Sequence, residues 1–197
     1  MPVTMPGRGA VALLLALLTG ACSVAPTHTG RSAIEQELIV RSIERAIASL
    51  DTSKLLGRKV ALEIFGLNDD REFARQMLLA RLRVRGVEVV ETAAAADYRV
   101  RAFATVLGVN QGDTLVGVPA LQVPVVSIPV PELALFKMQR SRGHTELQMF
   151  VFDRASESFV ERIPDGVGHA RYDRYTILLV FGFIRSDLGE RPPGEPH

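Results

Sequence analysis

The sequence predicts an α+β domain: a mixed, mostly antiparallel sheet with two helices of the N-terminal half packed on one face. Three observations predict it. Apolar residues recur at helical spacing twice before residue 85. Alternating or continuous apolar runs dominate the second half, and a tight polar link at 154–158 joins two of them. A chain of 197 residues, 47% hydrophobic and 23% charged, is long enough to bury a core and too apolar to stay unfolded.

Ser32-Ala-Ile-Glu35 has the spacing of a capping box, in which a hydroxyl and a carboxylate satisfy the free amides of a helix start. Ile34, Leu38, Ile39, Ile43, Ala46, Ile47 and Leu50 then form one stripe, so a helix is expected over about 32–50. Glu37 and Arg41, four apart, belong on its wet side. Residues 58–65 read as a strand. Asn68 to Glu72 opens a second helix, with Asp69 and Glu72 at capping-box spacing. Phe73, Met77, Leu78, Ala80, Leu82 and Val84 are expected on its buried side, and Gly86 stops it. Residues 87–91 read as a short strand. In 97–107, Tyr98, Val100, Ala102, Ala104 and Val106 face one way, with Arg99 and Arg101 on the other. Residues 144–153 and 159–162 read as a hairpin, and 163–169, with Pro164, Gly166 and Gly168, as a loop. The unbroken apolar run at 177–181 suggests a central buried strand. Residues 188–197 read as a disordered tail.

The first 22 residues carry a different signal. Arg8 is the one charged side chain before Arg31, and nine consecutive Ala, Val and Leu residues follow at 10–18. That run is too short to span a bilayer and fits the apolar core of a secretory signal. Leu18-Thr19-Gly20-Ala21-Cys22 resembles the lipobox of bacterial lipoproteins, with Thr19 where that motif most often has Leu. The resemblance implies cleavage between Ala21 and Cys22, a diacylglyceryl group on the Cys22 sulfur and an acylated new amino terminus. Two or more acyl chains hold a protein firmly, at about 0.8 kcal/mol per buried methylene. Residues 22–31 then serve as a spacer and 32–187 as a single domain. Ser23 after the cysteine resembles the outer-membrane sorting pattern, with the domain facing the periplasm and the inner membrane as the alternative. Loss of residues 1–21 removes one Arg and no acid, leaving 22 basic and 22 acidic residues. Charge therefore does not hold the chain to a membrane, and no nucleic-acid partner is expected. The five arginines at 71, 75, 81, 83 and 85 read as a solvated helix face, since no aromatic interleaving or nucleic-acid motif accompanies them.

Residues 114–131 stand apart. They hold no charge, and Pro119, Pro124, Pro129 and Pro131 break any spanning helix. Two readings stay open: the segment tucks against the domain, or Leu115, Val116, Val118, Leu121, Val123, Val125, Val126, Ile128 and Val130 form a surface for a partner, for self-association or for lipid.

No catalytic motif emerges. Phosphate-binding glycine loops and a nucleophile elbow are absent from the sequence. His144 and His169 lack further histidines at ligand spacing, so no metal is expected, and no cofactor beyond the acyl groups on Cys22. A hydrolytic set of these histidines with Asp153, Asp165 or Asp173 and Ser141 or Ser127 can be drawn, but nothing in their spacing selects it. Glu146 and Asp153 make an equally unselective acid pair.

Pro129-Val-Pro131-Glu-Leu-Ala-Leu-Phe-Lys137, followed by Gly143 and a strand ending at Asp153, is similar to a family of uncharacterised bacterial lipoproteins. Ala96-Asp97-Tyr98 fits the same family, and the likeness covers roughly 32–187. It implies no catalytic residues. The expectation is a non-enzymatic, membrane-anchored lipoprotein that binds or assembles an envelope partner. The alternatives are an oligomeric membrane-inserting or transport-accessory protein and, third, a periplasmic hydrolase.

Overall fold

The computed structural model describes residues 31–119 and 132–189, together with the backbone of 121–122 and 129–130. Ala21 and Cys22 lie outside these residues, as do Val123, Val125, Val126, Ile128 and the side chains of Leu121 and Val130.

Helix α1 (Ala33–Ser49) begins at the expected capping box: the Glu35 amide donates to Ser32 Oγ, and the Ser32 amide donates to the Glu35 carboxylate at 2.8 Å. Strand β1 (Lys59–Gly66) leads into helix α2 (Arg71–Val84) and strand β2 (Glu88–Val89). Strand β3 (Tyr98–Val118) is followed by two short paired strands, β4 (Leu121–Gln122) and β5 (Pro129–Val130). Then come β6 (Leu133–Asp153), β7 (Phe159–Ile177) and β8 (Phe181–Ser186). The main sheet has the order β2-β1-β3-β6-β7-β8; β1 is parallel to β2 and β3, and every other pairing is antiparallel. The expected α+β class, with both helices in the N-terminal half, is the observed one.

Both helices lie on one face of the sheet and share one core. Ile43, Ile47, Leu78 and Leu82 meet Val60, Val100, Leu147 and Met149 there, all essentially inaccessible to water. Burial of each such side chain stabilises by about 1.5–3 kcal/mol. A buried hydroxyl pair, Ser42 Oγ to Thr145 Oγ1 at 2.7 Å, joins α1 to β6. Leu188 is also buried, against Leu38 and Ala170, so it belongs to the packed domain and not to the tail expected from 188.

Several sequence expectations change. Asp70, not Asp69, is the N-cap of α2, and no side-chain capping bond forms there. The buried side of α2 is Ala74, Leu78, Leu79 and Leu82; Phe73 and Val84 are exposed because the stripe is rotated. The arginines of α2 act locally: Arg85 donates to the carbonyls of Ala48 and Leu50 and ties α2 to the end of α1, while Arg71 donates to the Gly66 carbonyl. A register shift between Ala104 and Val106 turns Val106 out to solvent.

The expected loop 163–169 is the middle of β7. Pro164 sits at a register shift, where Leu147 pairs with Gly166 but Met149 pairs with Ile163, so its missing amide costs no ladder bond. Gly166 and Gly168 are there because α1 crosses at backbone distance. A Cβ on Gly168 would stand 1.9 Å from the Ser42 carbonyl oxygen, and one on Gly166 2.5 Å from that of Ala46. Gly143 on β6 meets the Leu38 carbonyl the same way. The run 177–181 is likewise not a central strand. It is the end of β7, a turn at 178–180 and the start of the edge strand β8, all exposed.

The crossing gives a direct expectation. Gly168→Ala should destabilise the domain by about 3 kcal/mol or more, since backbone and not a flexible side chain must yield. Gly108→Ala, where a Cβ meets nothing within 4 Å, should change little. Denaturant midpoints of the two variants check the contrast.

Candidate functional site

Three strands outrun the helices. Beyond the α1 crossing, β3, β6 and β7 continue to Val118, Leu133 and Ile177, and β8 pairs along the last of these. The result is a four-stranded antiparallel arm. Its connection from β7 to β8 is made by Leu178, Leu179 and Val180.

Register sorts the arm's side chains into rows. On the face opposite the helices, the outermost row of four reads Val116, Phe136, Ile177, Phe181, and the next reads Thr114, Met138, Tyr175, Phe183. Tyr175 and Phe183 stack with ring centroids 4.6 Å apart. One row further in, the composition switches to Gly112, Arg140, Asp173, Arg185. Arg142 and Arg171 follow as the next cross-strand pair. Asp173 is buried beneath a bidentate Arg142, and its carboxylate raises that guanidinium above its usual value. The helix-side face of the same arm is mostly polar, with Lys137 and Thr176 in one row and Asp113, Gln139 and Arg174 in another. Lys137 is paired with Glu132 at 2.9 Å.

The apolar face has no cover among the described residues. Val116, Phe181 and Phe183 are at least half exposed, and Val180 at the turn is 77% exposed. Patches of contiguous apolar surface on this scale mark interaction sites. The turn adds a second sign. Leu178 and Leu179 have φ of 48° and 70°, a left-handed conformation that costs a non-glycine residue about 1–2 kcal/mol. Three-residue hairpin loops ordinarily place glycine there. The Leu178 and Leu179 amides do bond to the carbonyls of Leu135 and Ala134, at 2.9 and 3.0 Å, so the turn is fixed in place. Exposed leucines in this conformation contribute nothing to the buried core.

Of the residues singled out in 114–131, Leu115, Val116 and Val118 belong to the end of β3, not to a loop. Val116 and Val118 are exposed; Leu115 is half-buried on the opposite face from Val116. Sequence reasoning missed the β7–β8 half of the surface, Ile177 to Phe183. Its signal was present: residues 175–184 hold no charge.

Among the described residues the hydrolytic sets do not assemble. His144 and His169 are cross-strand partners in mid-strand, not strand-end and loop residues, with ring centroids 4.4 Å apart. Ser141, three residues from His144 on one strand, points to the other face. Asp153 holds the β6–β7 turn, its carboxyl held below the usual range chiefly by the Ser156 amide. Asp165 pairs with Arg162 at 2.7 Å, and Asp173 with Arg142. Ser127 lies outside the described residues. No cluster of three or more His, Cys, Asp or Glu able to hold a metal occurs among the described residues. No described helix is long and apolar enough to cross a membrane.

No family model matches this chain, and no curated protein does. Among solved structures it is similar to a homolog of the neuraminyllactose-binding hemagglutinin from Helicobacter pylori, at 13% identity over 58% of this chain and 67% of that one. The TM-score is 0.29, a likeness that transfers neither fold nor function.

Replacing the strained pair by Leu178→Asn with Leu179→Gly should leave the domain folded and raise its midpoint by about 2–4 °C, as expected for about 1 kcal/mol in a domain of this size. Thermal unfolding of the two-residue variant against the parent chain tests whether the leucines serve something other than stability.

Proposed function

We propose that this chain is a non-enzymatic lipoprotein of the bacterial envelope, tethered through acylated Cys22, whose four-stranded arm enters the lipid bilayer. The observation that carries the reading is the segregation of the arm's two faces. Alternation of apolar and polar residues along antiparallel strands is the code of strands that face hydrocarbon on one side and water on the other. In a soluble sheet the apolar side would meet the core; here it is the side away from the helices.

The vertical order of the rows supports the same reading. From the Thr114 row to Val118 is four residues, about 14 Å at 3.4 Å per residue, close to one leaflet of a hydrocarbon core about 30 Å thick. The uncharged sequence 119–131 continues the apolar part beyond Val118. Tyr175 and Phe183 stand where the apolar band ends, as interfacial aromatics do. Arg140, Arg171 and Arg185 come next, at the level of the headgroups, where guanidinium groups can meet phosphate. The lipid on Cys22 would hold the domain at the membrane, and the arm would do the penetrating. The outer membrane, with the domain in the periplasm, is the compartment supported by the resemblance of Ser23 to the sorting pattern.

A chain starting at Ser23 lacks both the apolar leader and the acyl anchor and isolates the arm's contribution. This variant should still float with phospholipid vesicles. Adding Phe181→Asp and Val180→Asp should cut vesicle binding by thirtyfold or more, from about 1 kcal/mol per carboxylate placed in hydrocarbon. Ile184→Asp, on the opposite face of β8, should cost far less. Failure of the chain starting at Ser23 to float would overturn the lipid reading and return the apolar face to a protein partner. Normal cleavage of a Cys22→Ala chain in cells would overturn the lipid anchor.

A further inference from the structure

The arm has two open edges, and they match. On one side β8 pairs with β7 alone. On the other, β1 accompanies β3 only as far as Ala104, so the outer edge of β3 from about residue 108 to Val118 has no strand beside it among the described residues. Free edges of this kind recruit further strands, and proteins that avoid doing so protect them with lysine, proline or several inward charges. Neither edge is protected. Residues 108–118 carry one charge, Asp113, and residues 181–186 carry one, Arg185.

We infer that these edges pair with each other between copies, β8 of one chain against the distal half of β3 of the next, to close a ring of arms. Three features commit the occupant to a second copy of this chain. Strand direction alternates across β3, β6, β7 and β8, so β8 and the β3 that follows it run antiparallel, and the alternation continues without a break. The apolar rows also continue: Phe181 and Val116 are members of one row, as are Phe183 and Thr114, so the joined sheet keeps one apolar face. The lone charges are of opposite sign and lie one row apart, so the pairing sets no like charges against each other. The two edges differ, which makes the contact heterologous, and heterologous contacts generate rings or open filaments. Within hydrocarbon an open edge leaves amides and carbonyls unsatisfied, which selects the closed ring. Each copy adds four strands, so the ring contains an even number whatever its size.

This inference rests on the lipid reading for closure, while the edge pairing itself can be tested separately. Gly112 and Arg185 belong to one row on the outermost strands of the same arm, three strand spacings or about 14 Å apart within a chain. They come within about one strand spacing, ~5 Å, between neighbours. A Cβ at Gly112 meets nothing within 4 Å. The full chain with Gly112→Cys and Arg185→Cys, extracted in detergent from cell membranes and treated with an oxidant or a short bis-maleimide, should give a ladder of covalent multimers. Each single variant should give only the background of the parent chain, whose one native cysteine is Cys22. Dimers from either single variant would show like edges meeting and overturn the inference, as would a double variant that stays monomeric. The same preparations floated with vesicles separate the two claims: vesicle binding without a ladder leaves the lipid reading and removes the ring.

Discussion

Everything distinctive in this domain depends on how closely α1 sits on the sheet. Three glycines, Gly143, Gly166 and Gly168, let the helix backbone touch β6 and β7, with Ser42 and Thr145 exchanging a hydrogen bond in the gap. That contact fixes the register of β6 against β7 and gives the helices one face of the sheet. It also sets where cover ends. Beyond Leu38 and Ile34 no helix among the described residues reaches the strands.

The arm differs from the body in having no helix on either face among the described residues. In the body, the apolar side chains on the helix side are buried, while Phe65, Phe103, Phe150, Phe152 and Phe159 pack as ring pairs on the opposite face. In the arm, Val116, Phe136, Ile177 and Phe181 lie on that opposite face, while the helix side carries Lys137, Gln139 and Arg174. On the lipid reading, the exposed apolar rows of the arm are withdrawn from water, at about 25 cal/mol for each Å². On the same reading, the arginine row immediately behind them lies at the headgroups, with the strand ends deepest and the helices in water.

The two-helix opening was legible because α1 and α2 bury one stripe each against a core, which leaves a period of about 3.6 in the sequence. The hairpin at 144–162 was legible from the polar link at 154–158 between two apolar runs, not from a period of two, which Phe150 and Phe152 break. The middle of β7 was not: Pro164, Gly166 and Gly168 are loop formers by local preference, and only the crossing helix and the register shift explain them as strand residues. The run 177–181 was misread because a core and a bilayer ask for the same side chains, so its apolar character could not say which surrounds it. Segment 114–131 stood out by its lack of charge, with a tucked segment and a surface both open; its first five residues are strand, and its continuation across the sheet at Ile177 to Phe183 lies some sixty residues away in sequence. Proximity of that kind is a property of register and not of the local sequence.

The central claim is that one face of the arm, and not the other, meets lipid. Single cysteines at Ile177 and Thr176, adjacent on β7 and on opposite faces, can each carry an environment-sensitive fluorophore in the full chain reconstituted into vesicles with brominated lipids. Strong emission at short wavelength and quenching by bromine at 177, with neither at 176, is the predicted result. Equal quenching at both positions, or none at 177, would contradict it.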